Sequence, residues 1–194
     1  MAAALTYIVP FAFASGLNLY ATIAVLGLCS HYRLVTLPEQ FRAFDHPVVI
    51  TIALVMYVIE FFADKIPWFD SVWDAIHTVI RPLGGALVAV AALGDASPAV
   101  KTVAALLGGS VAMTTHLTKA GARAAANTSP EPFSNWILSF GEDAVAVGMS
   151  YVALQHPVAA FIAALILLAL ILMFASVLVR ALRKRVASRH RVIG

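Results

Sequence analysis

His116, Lys119, Arg123 and Asn127 follow one another at steps of three, four and four, the spacing that lines side chains up on one face of a helix. Thr115 stands beside them. Upstream, Glu60 and Asp64 are four apart with Lys65 next in line, and downstream Glu142 and Asp143 are adjacent, with Ser139 three residues earlier. Side chains of these types pair with one another, carry protons, or contact a charged solute. Four acids (Glu60, Asp64, Glu142, Asp143) stand against four bases (Lys65, Arg81, Lys119, Arg123), so one reading is a salt-bridge network that clamps helix ends together. A clamp, however, requires neither His116 and Asn127 on the basic stripe nor two adjacent acids, which point in different directions on a helix. The second reading therefore brings some members into contact with solvent, an ion or a substrate.

A different pattern lies in the first apolar run and again near the middle of the chain. Pro10 and the segment Ser15, Gly16, Leu17, Asn18 make poor helix interior, and so do Gly108, Gly109 and Ser110. Glycine in mid-helix costs about 1 kcal/mol relative to alanine. Helix breaks at membrane depth are tolerated only where protein buries them or they line a cavity. Two breaks meeting near the midplane would offer free backbone groups, together with Asn18, Tyr20 and Thr22 from one segment and Thr114 and His116 from the other, to a substrate or ion. Close packing of helices through small residues accounts for the same glycines. The two readings are compatible.

These side chains need a scaffold, and composition says which. Hydrophobic residues make up 61% and charged residues 12% of the 194, and the mean hydropathy is +0.90, a balance that belongs in a bilayer rather than in water. Apolar runs of roughly 20 residues, the length needed to cross a hydrocarbon core of ~30 Å, place six helices at about 5–30, 47–64, 70–94, 99–126, 137–155 and 157–183. The third begins amphipathically at Asp70, Ser71 and Asp74 and absorbs Pro82 as a kink. The first lacks a basic leader and reads as a retained span rather than a signal peptide. The linker Gly94 to Pro98 divides the chain into two three-helix halves, 1–97 and 98–183, followed by a basic tail, 184–194.

The halves echo one another. "ASGLNLYATIAVLG" (Ala14 to Gly27) lies over "GGSVAMTTHLTKAG" (Gly108 to Gly121) at an offset of 94, and "LPEQF" (Leu37 to Phe41) over "SPEPF" (Ser129 to Phe133) at an offset of 92. Chance similarity of alanine-rich segments is the bland alternative. In order and at nearly one offset, the matches favour duplication, and an odd number of helices per copy makes it an inverted-topology repeat of three plus three. The expectation is an all-α polytopic membrane protein of six transmembrane helices, with helices one and four broken. Basic residues gather on the face that six spans assign to both termini: Lys65, Arg81, Lys119, Arg123 and the tail from Arg180 to Arg191, against Arg33, Arg42 and Lys101 on the other. By the positive-inside rule both termini are then cytoplasmic, and the tail serves as a topology anchor, contact with anionic headgroups being the second reading.

Enzymatic signatures are missing: no nucleophile elbow, no phosphate-cradling glycine loop and no His-Glu-x-x-His. We expect no enzyme and no cofactor, and leave a metal open. Lone Cys29 excludes an internal disulfide and no zinc-spaced Cys/His cluster occurs. A pI near 9.2 is accounted for by topology, with no nucleic-acid partner. The expected partners are the lipid bilayer and a small solute or ion, a homo-oligomer being left open. The function expected is a transporter or channel for a small polar or ionic solute, with proton or cation coupling. The alternative is a non-transporting scaffold or partner subunit that docks by its charged cytoplasmic face.

Three stretches, "ASGLNLYAT", "EFFADKIPWFDSVWD" and above all "HLTKAGARAAANTSPEPFSNWILSFGED" (His116 to Asp143), resemble the bacterial membrane-protein family catalogued as domain of unknown function 4126. The resemblance implies the cytoplasmic (inner) membrane of a bacterium and carries over no site residue. Glu60 to Lys65 is also faintly similar to the Glu-x-Gly-Asp-Lys motif of cation exchangers, with one residue more between Glu and Asp. That adds divalent cations to the solutes worth testing.

Overall fold

A computed structural model describes residues 2–35, 39–127 and 133–193, and every regular element among them is helical. The elements are α1 (Ala2–Leu17), α2 (Leu19–His31), a 3-10 turn (Glu39–Asp45), α3 (Pro47–Ala63), α4 (Pro67–Ala91), α5 (Pro98–Ala126), α6 (Phe133–Gln155) and α7 (Pro157–Ile193). Proline opens four of them at the first helical position, where its missing N–H is one that no helix would satisfy. Ser97 caps α5 by accepting from the Val100 amide at 3.4 Å. Gly94, at φ 60°, turns the chain between α4 and α5 in the left-handed region open to glycine. Pro82 sits inside α4 without ending it. Of the paired "PE.F" segments, residues 37–38 and 129–132 lie outside the described residues, as do the side chains of the basic tail.

Among the described residues, three helices are long and apolar enough to cross a membrane: Trp68–Ala91, Phe133–Gln155 and Pro157–Val177. Their outer faces, and that of α3, expose Val, Ile, Leu and Phe side chains, among them Ile52, Val55, Leu87, Ile137 and Ile166. Bilayer hydrocarbon covers such a surface.

The first expected span, 5–30, is not one helix. It breaks at Asn18, whose backbone is extended (φ −149°, ψ 102°), giving half-helices of 16 and 13 residues, about 24 and 20 Å long at ~1.5 Å per residue. Phe41 of the 3-10 turn packs edge-on against Tyr7 and Phe11 of α1, at 5.8 and 5.5 Å between ring centroids. Three residues on, the Phe44 carbonyl lies against Gly27 of α2, 2.7 Å from where a Cβ would stand. One short segment thus touches α1 well before the break and α2 well after it. The two half-helices fold back towards the same end of the bundle, with Asn18 at their tip.

The expected break in helix four is absent: α5 runs unbroken from Pro98 to Ala126 through Gly108 and Gly109. The glycines serve packing instead. A Cβ on Gly108 would collide with the Ala89 methyl and lie 2.6 Å from the Gly85 carbonyl, one on Gly85 would meet the Ala112 methyl at 2.5 Å, and one on Gly109 would stand 3.2 Å from the Pro82 carbonyl. Small residues on both helices let the backbones of α4 and α5 close on each other. Gly16, two residues before the break, packs in the same way against the Ala112 carbonyl and Thr115 of α5. The two segments matched by the repeat therefore meet in space, one of them broken and the other straight.

Gly108→Leu should lower the midpoint of thermal unfolding in detergent, at a cost of about 1–3 kcal/mol for overpacking. Gly121→Leu, on a site with nothing within 4 Å of the added Cβ, should leave the midpoint near wild type.

Candidate functional site

The break and the charged residues form one structure. Where α1 ends, its last carbonyls have no intrahelical partner, and bases supply one: Arg81 donates to the Gly16 carbonyl at 3.3 Å and Lys119 to the Leu17 carbonyl at 3.2 Å. Where α2 begins, the Asn18 side chain caps it by accepting from the Ala21 amide at 2.9 Å, and Thr22 donates back to the Asn18 carbonyl at 2.9 Å. The Ala21 N–H only donates, so the oxygen of Asn18 faces it and the amide nitrogen faces the other way, to Asp143 Oδ1 at 2.9 Å.

From those caps the network runs towards the ends of the helices. Glu60 accepts from Arg81 at 2.7 Å and from Lys119 at 3.3 Å; Asp64 accepts from Lys119 at 3.0 Å and from Arg123 at 2.7 Å. Arg123 also donates through Nε and Nη2 to Glu142 at 3.1 and 2.8 Å and to the carbonyls of Asp64 and Asn135. Glu60, Asp64, Arg81, His116, Lys119 and Arg123 are all buried. The stripe expected on α5 thus faces inward and pairs with α3 and α6, and Glu142 and Asp143 do point apart, one to Arg123 and one to Asn18.

The α4 face was not anticipated as part of this set, apart from Arg81. Asp70, Asp74, His77 and Arg81 lie at steps of four, three and four, the counterpart of the α5 stripe, and antiparallel α4 lays them along it. Asn127 donates to Asp70 at 3.1 Å, and Arg123 and Arg81 stand 3.8 and 3.6 Å from Asp70 and Asp74. Arg81 donates to His116 Nδ1 at 2.7 Å, which leaves His116 Nε2 to donate to the Asp74 carbonyl at 3.2 Å. His116 is therefore held as the neutral Nε2–H tautomer. By the same logic His77 donates through Nδ1 to the Trp73 carbonyl at 2.8 Å and accepts at Nε2 from Tyr20 at 3.0 Å. The spacing was the available signal; it was masked by reading Asp70 and Asp74 as helix-start residues.

Other expected residues sit elsewhere. Lys65 donates to the Phe61 carbonyl at 2.8 Å and to Ser139 at 3.4 Å, with its ammonium 3.1 Å from the centroid of the Phe61 ring and 4.8 Å from that of Phe140. Partial burial pulls its pKa below that of a free lysine, opposed by the Asp143 and Asp64 carboxylates. Thr114 and Thr115 bond back to the Ser110 and Val111 carbonyls, and Ser15 is buried in α1. A crevice of about 210 Å³ between α4 and α5, lined among others by Asp70, Asp74, Thr78, Arg123 and Asn127, opens onto the outer part of the network. It does not include Asn18. Among the described residues no group of three or more His, Cys, Asp or Glu side chains is arranged to hold a metal ion.

Removing one partner from a buried ionic set leaves its counter-charges stranded, at about 3–5 kcal/mol. Arg123→Met should destabilise the protein by that order in a thermal unfolding assay. Arg42→Met, which removes an exposed pair with Glu39, should cost under about 1 kcal/mol.

The family model described as "Domain of unknown function (DUF4126)" matches residues 5–177. No curated protein and no solved structure matches the chain.

Proposed function

The chain belongs to the DUF4126 family, and on that premise we propose that it is an integral membrane transporter or channel for a small polar or ionic solute, with proton or cation coupling. One observation carries the reading: a broken helix ends inside a buried ionic network whose bases cap its carbonyls. Charge at membrane depth is costly, and interrupted helices delivering backbone groups to buried charges are how many secondary transporters build their sites. In this reading Glu60, Asp64, Glu142 and Asp143 handle the coupling ion, and His116, Lys119, Arg123 and Asn127 with the α4 acids gate the path from the crevice. Asn18 and Tyr20 mark its inner end.

The scaffold alternative draws support from the close packing around Asn18, which the crevice does not reach. Against it, the charged side chains are buried in the bundle rather than displayed on a docking face.

We read the topology as five crossings, α3 to α7, plus a re-entrant pair, α1 and α2, in the inner membrane of a bacterium. This replaces the expectation that both termini are cytoplasmic: the C-terminal basic end stays inside by the positive-inside rule and the N-terminus lies outside. Of the inverted repeat, the reading keeps the opposed directions of α3–α4 and α6–α7. Reporter fusions at the two termini should give opposite sides, and the same side for both would remove the re-entrant pair.

The functional test is flux into proteoliposomes holding a pH-sensitive dye, with a panel of anions, divalent cations and small metabolites outside. Glu60→Gln, checked for monodispersity, is the control. Solute-dependent proton movement that the control lacks is the expected result. Silence across the panel from folded protein would favour the scaffold.

A further inference from the structure

We infer that Asp143 is the proton-carrying carboxylate of this site, and that its bond to Asn18, together with Lys119, ties the proton to the position of the helix break. The identity of the proton site stands on geometry alone; its consequence for movement rests on the transport reading above.

The charges in the bundle do not balance. Among the described residues, three buried cations, Arg81, Lys119 and Arg123, stand against six carboxylates: Glu60, Asp64, Asp70, Asp74, Glu142 and Asp143. The first five each have a basic nitrogen within 4.0 Å, from 2.7 Å for Glu60 to 3.8 Å for Asp70. Asp70 and Asp74 also line the crevice between α4 and α5. Asp143 forms no such ion pair among the described residues and does not line that crevice. A buried carboxylate without a counter-charge neutralises by taking up a proton. Only one of its oxygens is free to hold one: Oδ1 accepts from Asn18, while Oδ2 is buried with no hydrogen-bond partner.

The groups around Asp143 set how firmly that proton is held. Tyr57 and Glu60 act on it from α3, Asp64 and Lys65 from the residues that follow α3, and Lys119 from α5. The Tyr57 hydroxyl is the neutral polar group beside this carboxylate. On α1 the one titratable side chain, Tyr7, packs edge-on against Phe41, and on α2 Tyr20 is engaged by His77. α7 carries no titratable side chain from Pro157 to Val177. Glu60 and Asp64 favour the neutral form, whereas Lys119, Lys65 and the positive N-terminal end of α2 favour the charged one. That opposition makes the group switchable.

Deprotonation, with the Oδ2 proton passing to water, leaves an anion that draws on Lys119. Lys119 answers by giving up the Leu17 carbonyl, its 3.2 Å contact at the end of α1. The break loses one of its two basic caps, and the hairpin is freed to move.

The test is infrared spectroscopy of the full chain in lipid, titrated with pH in light and heavy water, following the C=O stretch of protonated carboxylic acids. A titrating component present in wild type, lost in Asp143→Asn, and shifted in frequency in both Asp143→Glu and Asn18→Ala is the expected result. Asp143→Glu keeps the group ionisable, so the assignment survives a failure of the amide variant to fold. A wild type without such a component, or one unchanged in Asp143→Glu and Asp143→Asn, would overturn the proposal. Flux without this component spares the transport reading and removes Asp143 from it; the component without flux does the reverse.

Discussion

A charge withdrawn from water inside an apolar bundle must be answered by another, and the demand here is met by three bases shared among helices that are distant in sequence. Arg123 alone joins α5 to the end of α3 through Asp64 and to α6 through Glu142. Lys119 joins the same α3 acids to the end of α1, and Arg81 brings in α4. Such a set adds little stability over an apolar core of equal volume. What it does is make every other arrangement of these helices worse, because any misregister strands a charge. The relative depth of five helices follows from that constraint.

The break at Asn18 depends on the same bases. A helix interrupted in the interior exposes carbonyls at one side and amides at the other, and leaving them bare there would cost several kcal/mol. Arg81 and Lys119 take the carbonyls and the Asn18 side chain takes an amide. The pair α4–α5 supplies the rigid wall for this arrangement. Its glycines bring the two backbones together just beyond the charged segment, so that the stripes beginning at Asp70 and ending at Asn127 lie face to face.

Much of the site was legible in one dimension. The α5 stripe, the acids on α3 and the divergence of Glu142 and Asp143 all follow from helical spacing, and the break in the first run was signalled by Ser15, Gly16 and Asn18. The break came out at Asn18 rather than at the glycine, because an extended residue whose side chain caps the next helix is what asparagine provides. The same signal failed at Gly108 and Gly109. Glycine weakens a helix by about 1 kcal/mol, and close contact with α4 outweighs that; sequence shows the weakness but not the neighbour. Asp70 and Asp74 were passed over for a related reason, since acids in a first turn are sufficiently explained by the helix dipole.

The sequence by itself determined that this chain is helical, that it belongs in a membrane, and which side chains share a face, because hydropathy and periodicity are local properties carried by consecutive residues. Tertiary structure alone decided that the first run folds back on itself, that α4 completes the charged set, and that among the described residues Asp143 forms no ion pair while Glu142 beside it does. Those outcomes depend on which carboxylate each base reaches, a matter of ångströms between residues up to 59 positions apart that no spacing along the chain records.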